Sequence, residues 1–289
     1  MALSFDFHTH STASDGTLTP AELVEAAHRA GIRHLALTDH DTVAGIPEAR
    51  AHAAGLGLNL VPGVEISVSW YGRTIHVLGL GVDPENARLQ AGLARLQDYR
   101  RWRAGEIARR LEKAGIPGAL EGAMALAVGD QVGRTHFARF LVQAGHAPDM
   151  KRVFKRFLVS GRPGHVPGEW IYLEQAVEWI HGAGGVAVIA HPARYRFTRT
   201  RLRLLLEEFR ELGGEGLEVV SGSHSPDDYR TMARHAADFD LLASAGSDYH
   251  GPENPWIELG RLPELPAGCR PVWACLQESF DGAILSDPS

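Results

Sequence analysis

Apolar and polar positions follow two periods along this chain. Short apolar runs of strand length recur at residues 4–7, 34–37, 59–64, 74–80, 186–190, 217–220 and 241–243. Segments with helical spacing lie at residues 20–30, 46–54, 89–114, 169–182, 202–212 and 226–237. Thr19 fits a helix cap with Pro20 at the first helical position, and Gly55 fits the stop of the next helix. Seven short strands, most separated by helix-length segments, predict a parallel α/β arrangement. The helix at 89–114 is long and arginine-rich, and Gly115 and Pro117 stop it. From there to residue 165 the pattern is irregular, and the alternation then resumes. A barrel formed by residues 1–98 and 166–289, with residues 99–165 inserted as a small subdomain, is the expected organisation.

The strand ends carry the candidate chemistry. His8 and His10 are two apart where the first strand finishes, so both face one side. Later strands deliver His40, Glu65, His191, Asp248 and His250 at or beyond their ends, and the fourth strand carries His76 internally. In parallel α/β barrels the site gathers at the carboxyl ends of the strands. Six of the 15 histidines sit where such a barrel would bring them together. With Asp15, Glu65 and Asp248 they make a mixed nitrogen and oxygen donor set. That mixture suits manganese, iron or zinc better than a hard all-oxygen ion. Nine donors exceed one ion's needs, so two to three divalent ions are implied. Such a cluster lowers the pKa of a bridging water and clamps a phosphate while hydroxide attacks in line. The sequence has no G-x-S-x-G elbow and no GxxxxGK[ST] loop, which argues against acyl-enzyme and nucleoside-triphosphate chemistry.

Charge sharpens the choice of substrate. The chain has 289 residues and a net charge of −6. Residues 100–162 hold 13 Lys or Arg against 5 Asp or Glu, and the remainder holds 16 against 30. An acidic body suits cations, and a basic insert beside it suits an anionic substrate. The start, MALSFDFHTH, lacks a basic region and a long apolar run, so no signal peptide is expected. No stretch approaches the roughly 18 apolar residues of a membrane span. Two cysteines, Cys269 and Cys275, read as reduced thiols of a cytoplasmic protein. No protein partner is implied.

The motifs together resemble the PHP family, named for polymerase and histidinol phosphatase domains. The stretches are His8-Thr-His10-Ser-Thr-Ala-Ser-Asp15-Gly16, Thr38-Asp39-His40-Asp41-Thr42, Pro62-Gly63-Val64-Glu65-Ile66-Ser67, His76-Val-Leu-Gly, Ala190-His191-Pro192 and Gly246-Ser247-Asp248-Tyr249-His250. The resemblance implies a distorted seven-stranded (β/α)7 barrel with an inserted helical cap, within the amidohydrolase superfamily. It implies one metal on His8, His10, Glu65 and Asp248, a second on Glu65, His76 and His191, and a third on Asp15, His40 and His250. Manganese is the first expectation, with iron or zinc next. Many members carry histidine where this chain has Asp15, which points away from the histidinol phosphate branch. The capped subgroup acts on nucleotides. The implied activity is removal of the 3′-phosphate from nucleoside 3′,5′-bisphosphates, for example adenosine 3′,5′-bisphosphate to AMP. The alternative is a 5′→3′ exoribonuclease on short 5′-phosphorylated RNA. Arg134, in Gly133-Arg134-Thr135-His136, is the candidate phosphate clamp, since a guanidinium offers a planar pair of donors. His224 is the candidate to contact phosphate or protonate the leaving oxygen. Arg194 and Tyr195 are candidates to touch the nucleoside.

Overall fold

The computed structural model describes residues 4–128, 131–254 and 256–276. Seven strands lie side by side in chain order: β1 (Phe5–Thr9), β2 (His34–Leu37), β3 (Asn59–Trp70), β4 (Arg73–Leu80), β5 (Val186–Ile189), β6 (Gly216–Ser221) and β7 (Leu242–Gly246). The sheet curls into a nearly closed α/β barrel. Its seam is made just past β7, where the Asp248 amide donates to the His8 carbonyl at 2.8 Å. The His10 amide donates to the Tyr249 carbonyl at 2.9 Å. At the opposite end Trp273 stacks on Phe5 at 4.6 Å, and the buried Val272 and Leu276 complete the plug.

The all-parallel expectation fails at one strand. β4 runs antiparallel to both β3 and β5, while β1–β3 and β5–β7 pair in parallel. The reason is the connection. β3 does not end at residue 64 but continues to Trp70, and Tyr71 and Gly72 turn directly into β4. Both turn residues have positive φ, 44° and 73°, which is the twist of a two-residue hairpin. With no crossover helix the chain can only return antiparallel. The period-two alternation is visible through the strand. Val64, Ile66, Val68 and Trp70 pack into the outer core, and Glu65, Ser67 and Ser69 alternate with them. His76 sits opposite Ser67 in this hairpin, which explains a candidate ligand in mid-strand.

The helices cover the barrel and form a second lobe. α1 (Pro20–Arg29) begins with the expected cap: Thr19 Oγ1 accepts from the Glu22 amide, and Glu22 Oε2 accepts from the Thr19 amide. α2 (Ile46–Leu56) packs beside it over β1–β3. α3 (Ala87–Lys113) is continuous for 27 residues. Its first half buries Leu89, Leu93 and Leu96 against the barrel wall. Its second half contributes Ala104, Ile107 and Leu111 to a separate apolar cluster. That cluster is completed from α4 (Ala119–Met124), α5 (Arg134–Gln143), α6 (Met150–Val153) and a π-helix at Phe154–Leu158. The region that reads as irregular in sequence is thus helical, in pieces too short to show a period. A subdomain at 99–165 is our reading of this second core. α7 (Leu173–Gly182), α8 (Arg199–Glu211) and α9 (Pro226–Asp238) complete the barrel's cover. Among the described residues no helix is long and apolar enough to cross a membrane.

α3 is seated on α7 through Gly92, where an added Cβ would lie 2.5 Å from the Trp179 ring. Gly92→Ala should therefore cost about 1–3 kcal/mol by overpacking. A lower urea midpoint with unchanged slope is the expected result.

Candidate metal centre

The centre is built around the Glu65 carboxylate, which is fully buried. His76 Nδ1 lies 2.7 Å and His191 Nε2 3.0 Å from its Oε1. His40 Nδ1, His10 Nε2 and His8 Nε2 lie 2.8, 3.3 and 3.4 Å from its Oε2. Asp248 Oδ1 is 3.5 Å from His8 Nε2 and 3.3 Å from His10 Nε2. Asp15 Oδ1 is 3.2 Å from His250 Nε2 and 3.8 Å from His40 Nε2. All nine residues expected as ligands are therefore brought into one cluster. Their donor atoms fall into three compact groups: His8, His10, Glu65 and Asp248; His40, Glu65 and His76; and His10, Asp15, His40 and His250. The first coincides with the expected set. The others differ in detail, because His40 lies between the second and third groups and His191 reaches only Glu65.

The donor atoms themselves call for cations. His8 Nε2, His10 Nε2, Asp15 Oδ1, His40 Nδ1 and Glu65 Oε2 are buried facing one another, in ion-pair contacts that lack hydrogen-bond alignment. Buried polar atoms so placed, converging from several strands, are costly unless an ion fills the space. The carboxylates stay ionised, and the imidazoles divide. Burial alone would raise the pKa of Glu65, but the imidazoles of His76, His40 and His8 hold it well below the carboxylate range. Burial likewise opposes Asp248, yet Arg194 and His8 hold it low. Burial, with His250 and His40 adjacent, pushes His10 down to about 3, and burial pushes His76 down to about 4. Burial opposes charge on His8, His40 and His250 as well, yet Glu218 and Glu65 push His8 up, Glu65 and Asp15 push His40 up, and Asp15 pushes His250 up to about 9. Cationic rings thus answer the buried carboxylates, and a divalent ion would take over that charge as those rings lose their protons.

Backbone geometry aims these groups. His191 and Asp248 have φ of 29° and 58°, in the left-handed region that non-glycine residues seldom occupy. Such conformations persist only where the surroundings enforce them, and they concentrate at functional sites. β1 is irregular between Asp6 and Thr9, and β6 between Glu218 and Val220. Such bulges re-aim side chains beside a site.

Three carboxylates absent from the sequence-based set hold it in place. Glu218 Oε1 is 3.0 Å from His8 Nδ1, and its Oε2 accepts from the His191 amide at 2.6 Å. It fixes which His8 nitrogen faces Glu65. The signal was a glutamate inside the apolar run Leu217-Glu218-Val219-Val220. Asp39 accepts from the Ser11 amide and from the Ser11 and Ser14 hydroxyls, which pins the loop between His10 and Asp15. Asp41 accepts from the Ser67 amide and, at 2.6 Å, from Arg100 Nε.

Four arginines rim the mouth: Arg100, Arg103, Arg134 and Arg194. Arg100 and Arg103 lie over the Trp170 ring at 5.1 and 5.4 Å, and Arg134 lies over Phe154 at 6.0 Å. Burial and the nearby Arg100 and Arg194 pull the Arg134 pKa down. Arg194 is bonded to Asp248 Oδ2, so it grips a ligand carboxylate at the mouth. Two of the expected substrate contacts have backbone partners of their own. His224 is buried, with Nδ1 donating to the Val219 carbonyl at 3.2 Å and Nε2 accepting from the Ala193 amide at 3.3 Å. Both nitrogens are engaged, and the ring ties the β6 loop to the turn Pro192–Tyr195. Tyr195 is also buried. Its hydroxyl donates to the Ala190 carbonyl and accepts from the His76 amide, both at 2.8 Å. It braces His76 and the residue before His191.

A family model described as PHP domain matches residues 6–159. A 3′,5′-nucleoside bisphosphate phosphatase from Chromobacterium violaceum is 46% identical over 275 residues, 95% of this chain and 96% of that protein. The 5′-3′ exoribonuclease Rnm from Escherichia coli K12 is 48% identical over 274 residues, 94% of this chain and 93% of that protein. A solved amidohydrolase structure from Chromobacterium violaceum, with sulfate bound and no metal, is 46% identical with a TM-score of 0.93. It spans 96% of this chain and 97% of its own.

Glu218→Gln tests the support beneath the ligands. One amide cannot accept from both His8 and the His191 backbone, so an N–H must face an N–H. Metal affinity should fall about ten- to a hundredfold, read by competition with a chelator, with the circular dichroism spectrum unchanged.

Proposed function

Because the chain belongs to the PHP domain family and is a metal-binding hydrolase of the phosphoesterase class, we propose that it removes the 3′-phosphate from nucleoside 3′,5′-bisphosphates. The observation that carries this reading is the set of four arginines above a buried carboxylate–imidazole cluster. Arg100 and Arg194 are answered in part by Asp41 and Asp248, but among the described residues Arg103 and Arg134 have no ion-pair partner. Burial and like charge pull both their pKa values down, with Arg134 and Arg100 acting on Arg103 and with Arg100 and Arg194 acting on Arg134. An anion at the rim would offset that repulsion. A nucleotide with phosphate at both ends supplies two such anions.

Divalent ions on His8, His10, Glu65 and Asp248, on Glu65, His76 and His191, and on Asp15, His40 and His250 would supply Lewis-acid polarisation and a nucleophile at neutral pH, with manganese first and iron or zinc next. This chain's own residues do the rest. Arg134 offers a planar fork to phosphate oxygens. Arg100 is braced for the same task by Asp41 and by Ser67 Oγ at 2.9 Å. Tyr195 and Glu218 hold the ligating imidazoles in line. Trp170 and Phe154 wall the mouth and limit water. Hydrolysis adds the elements of water across the P–O3′ bond, leaving a 3′-hydroxyl and phosphate.

The basic insert favours a second reading, a 5′→3′ exoribonuclease on 5′-phosphorylated RNA. The same P–O3′ bond of a 5′-phosphorylated nucleoside breaks in both reactions. They differ only in whether the phosphorus carries another nucleoside.

The test is product release from adenosine 3′,5′-bisphosphate, histidinol phosphate and short 5′-phosphorylated RNA with Mn²⁺ present. Turnover of the bisphosphate above histidinol phosphate is expected. Robust turnover of another monoester with none of the bisphosphate would overturn the reading. Asp248→Ala and His191→Ala should each lower kcat/KM by about a hundredfold or more while the fold survives, since a core of this size stands without metal.

A further inference from the structure

The helical lobe carries a second basic feature away from the metal cluster. A cavity of about 570 Å³ is lined by Arg152, Lys155, Arg156, Arg162 and His146. Residues 145–162 contain five Lys or Arg and a single acidic residue, Asp149. Arg152 is paired with Asp149 at 3.2 Å, and Arg156 is held by the His146 carbonyl and the Phe157 ring. Among the described residues Lys155 and Arg162 have no ion-pair partner, and both are exposed.

This cavity and the catalytic mouth share one element. The π-helix turns Phe154 into the mouth beneath Arg134, and its next residues, Lys155 and Arg156, into the basic cavity. π-helical turns are uncommon and concentrate at functional sites. The mouth and the basic cavity are thus joined through one helical element, which runs from Phe154, under Arg134, to Lys155 and Arg156. A mononucleotide filling the mouth does not need the far end of this path.

From this continuity we infer that the cavity lined by Lys155, Arg156 and Arg162 binds the backbone phosphates of a single-stranded RNA whose 5′ end sits in the catalytic mouth. The inference rests on the nucleotide reading of that mouth and extends it to a polynucleotide. Backbone neutralisation of this kind is sequence-independent and salt-sensitive. Each contact to a single strand contributes about 0.7 to the slope of log affinity against log salt.

The experiment uses the full chain and a 3′-labelled, 5′-phosphorylated RNA of roughly twelve nucleotides, followed by fluorescence anisotropy in EDTA so that no cleavage occurs. The double variant Lys155→Gln/Arg162→Gln should lower the salt slope by about 1.4 and weaken binding roughly twentyfold at 0.1 M salt. Lys155→Glu/Arg162→Glu should weaken it further. Turnover of adenosine 3′,5′-bisphosphate should be unchanged in both variants. An unchanged salt slope overturns the inference, as does an equal loss on RNA and bisphosphate. Loss of poly-aspartate binding with RNA binding intact overturns it in favour of an acidic protein partner. If the wild-type chain hydrolyses neither substrate with Mn²⁺, the proposed activity fails, and the anisotropy result still decides the surface.

Discussion

A single ionised carboxylate, Glu65, sits where no water can reach it, and much of the architecture follows from that. Burying a lone carboxylate costs several kcal/mol unless partners compensate it. Five imidazoles surround it, from β1, the loop after β2, β4 and the turn after β5. The barrel is the means by which segments so far apart in sequence reach one atom group. The antiparallel hairpin is the only way His76 can enter from a neighbouring strand's middle. The seam between β7 and β1 brings Asp248 to the same place. The cluster is over-supplied with lone pairs, and cations are what reconcile those lone pairs with burial.

The clustered donors were legible because several stand inside or just past an apolar run, as Glu65 does after Val64, His76 after Ile75 and His191 after Ala190. An imidazole or carboxylate following Val, Leu or Ile is conspicuous, and the barrel rule gives such positions a common location. The hairpin was harder to see. Tyr71-Gly72 is not one of the strongest turn pairs, and residues 59–64 look like a complete strand, although the alternation through Trp70 was present in the sequence. His224 and Tyr195 show the opposite limit. Position near a motif suggested contact with substrate, but burial and backbone partners decide what a polar ring can do. Arg100 illustrates a third limit. It reads as one of many solvated helix arginines, and only the packing of α3 across the mouth brings it to Asp41 and Ser67, 59 and 33 residues away.

Asp15 joins the two lobes. Its Oδ1 faces His250 and His40, while its Oδ2 accepts from Thr135 Oγ1 at 2.8 Å and its carbonyl accepts from Arg139. A carboxylate can serve a metal with one oxygen and a hydroxyl with the other. An imidazole at this position could ligate with one nitrogen only by turning an N–H donor toward Thr135, so the hydroxyl would have to accept where it now donates. Thr135 follows Arg134 directly in the first turn of α5. The position of the arginine above the mouth is thus tied, through one residue, to the group of donors that would hold an ion. The same donor group that gathers at Asp15 is also the latch between helical lobe and barrel, so a change at Asp15 would shift the arginine rim along with the donors.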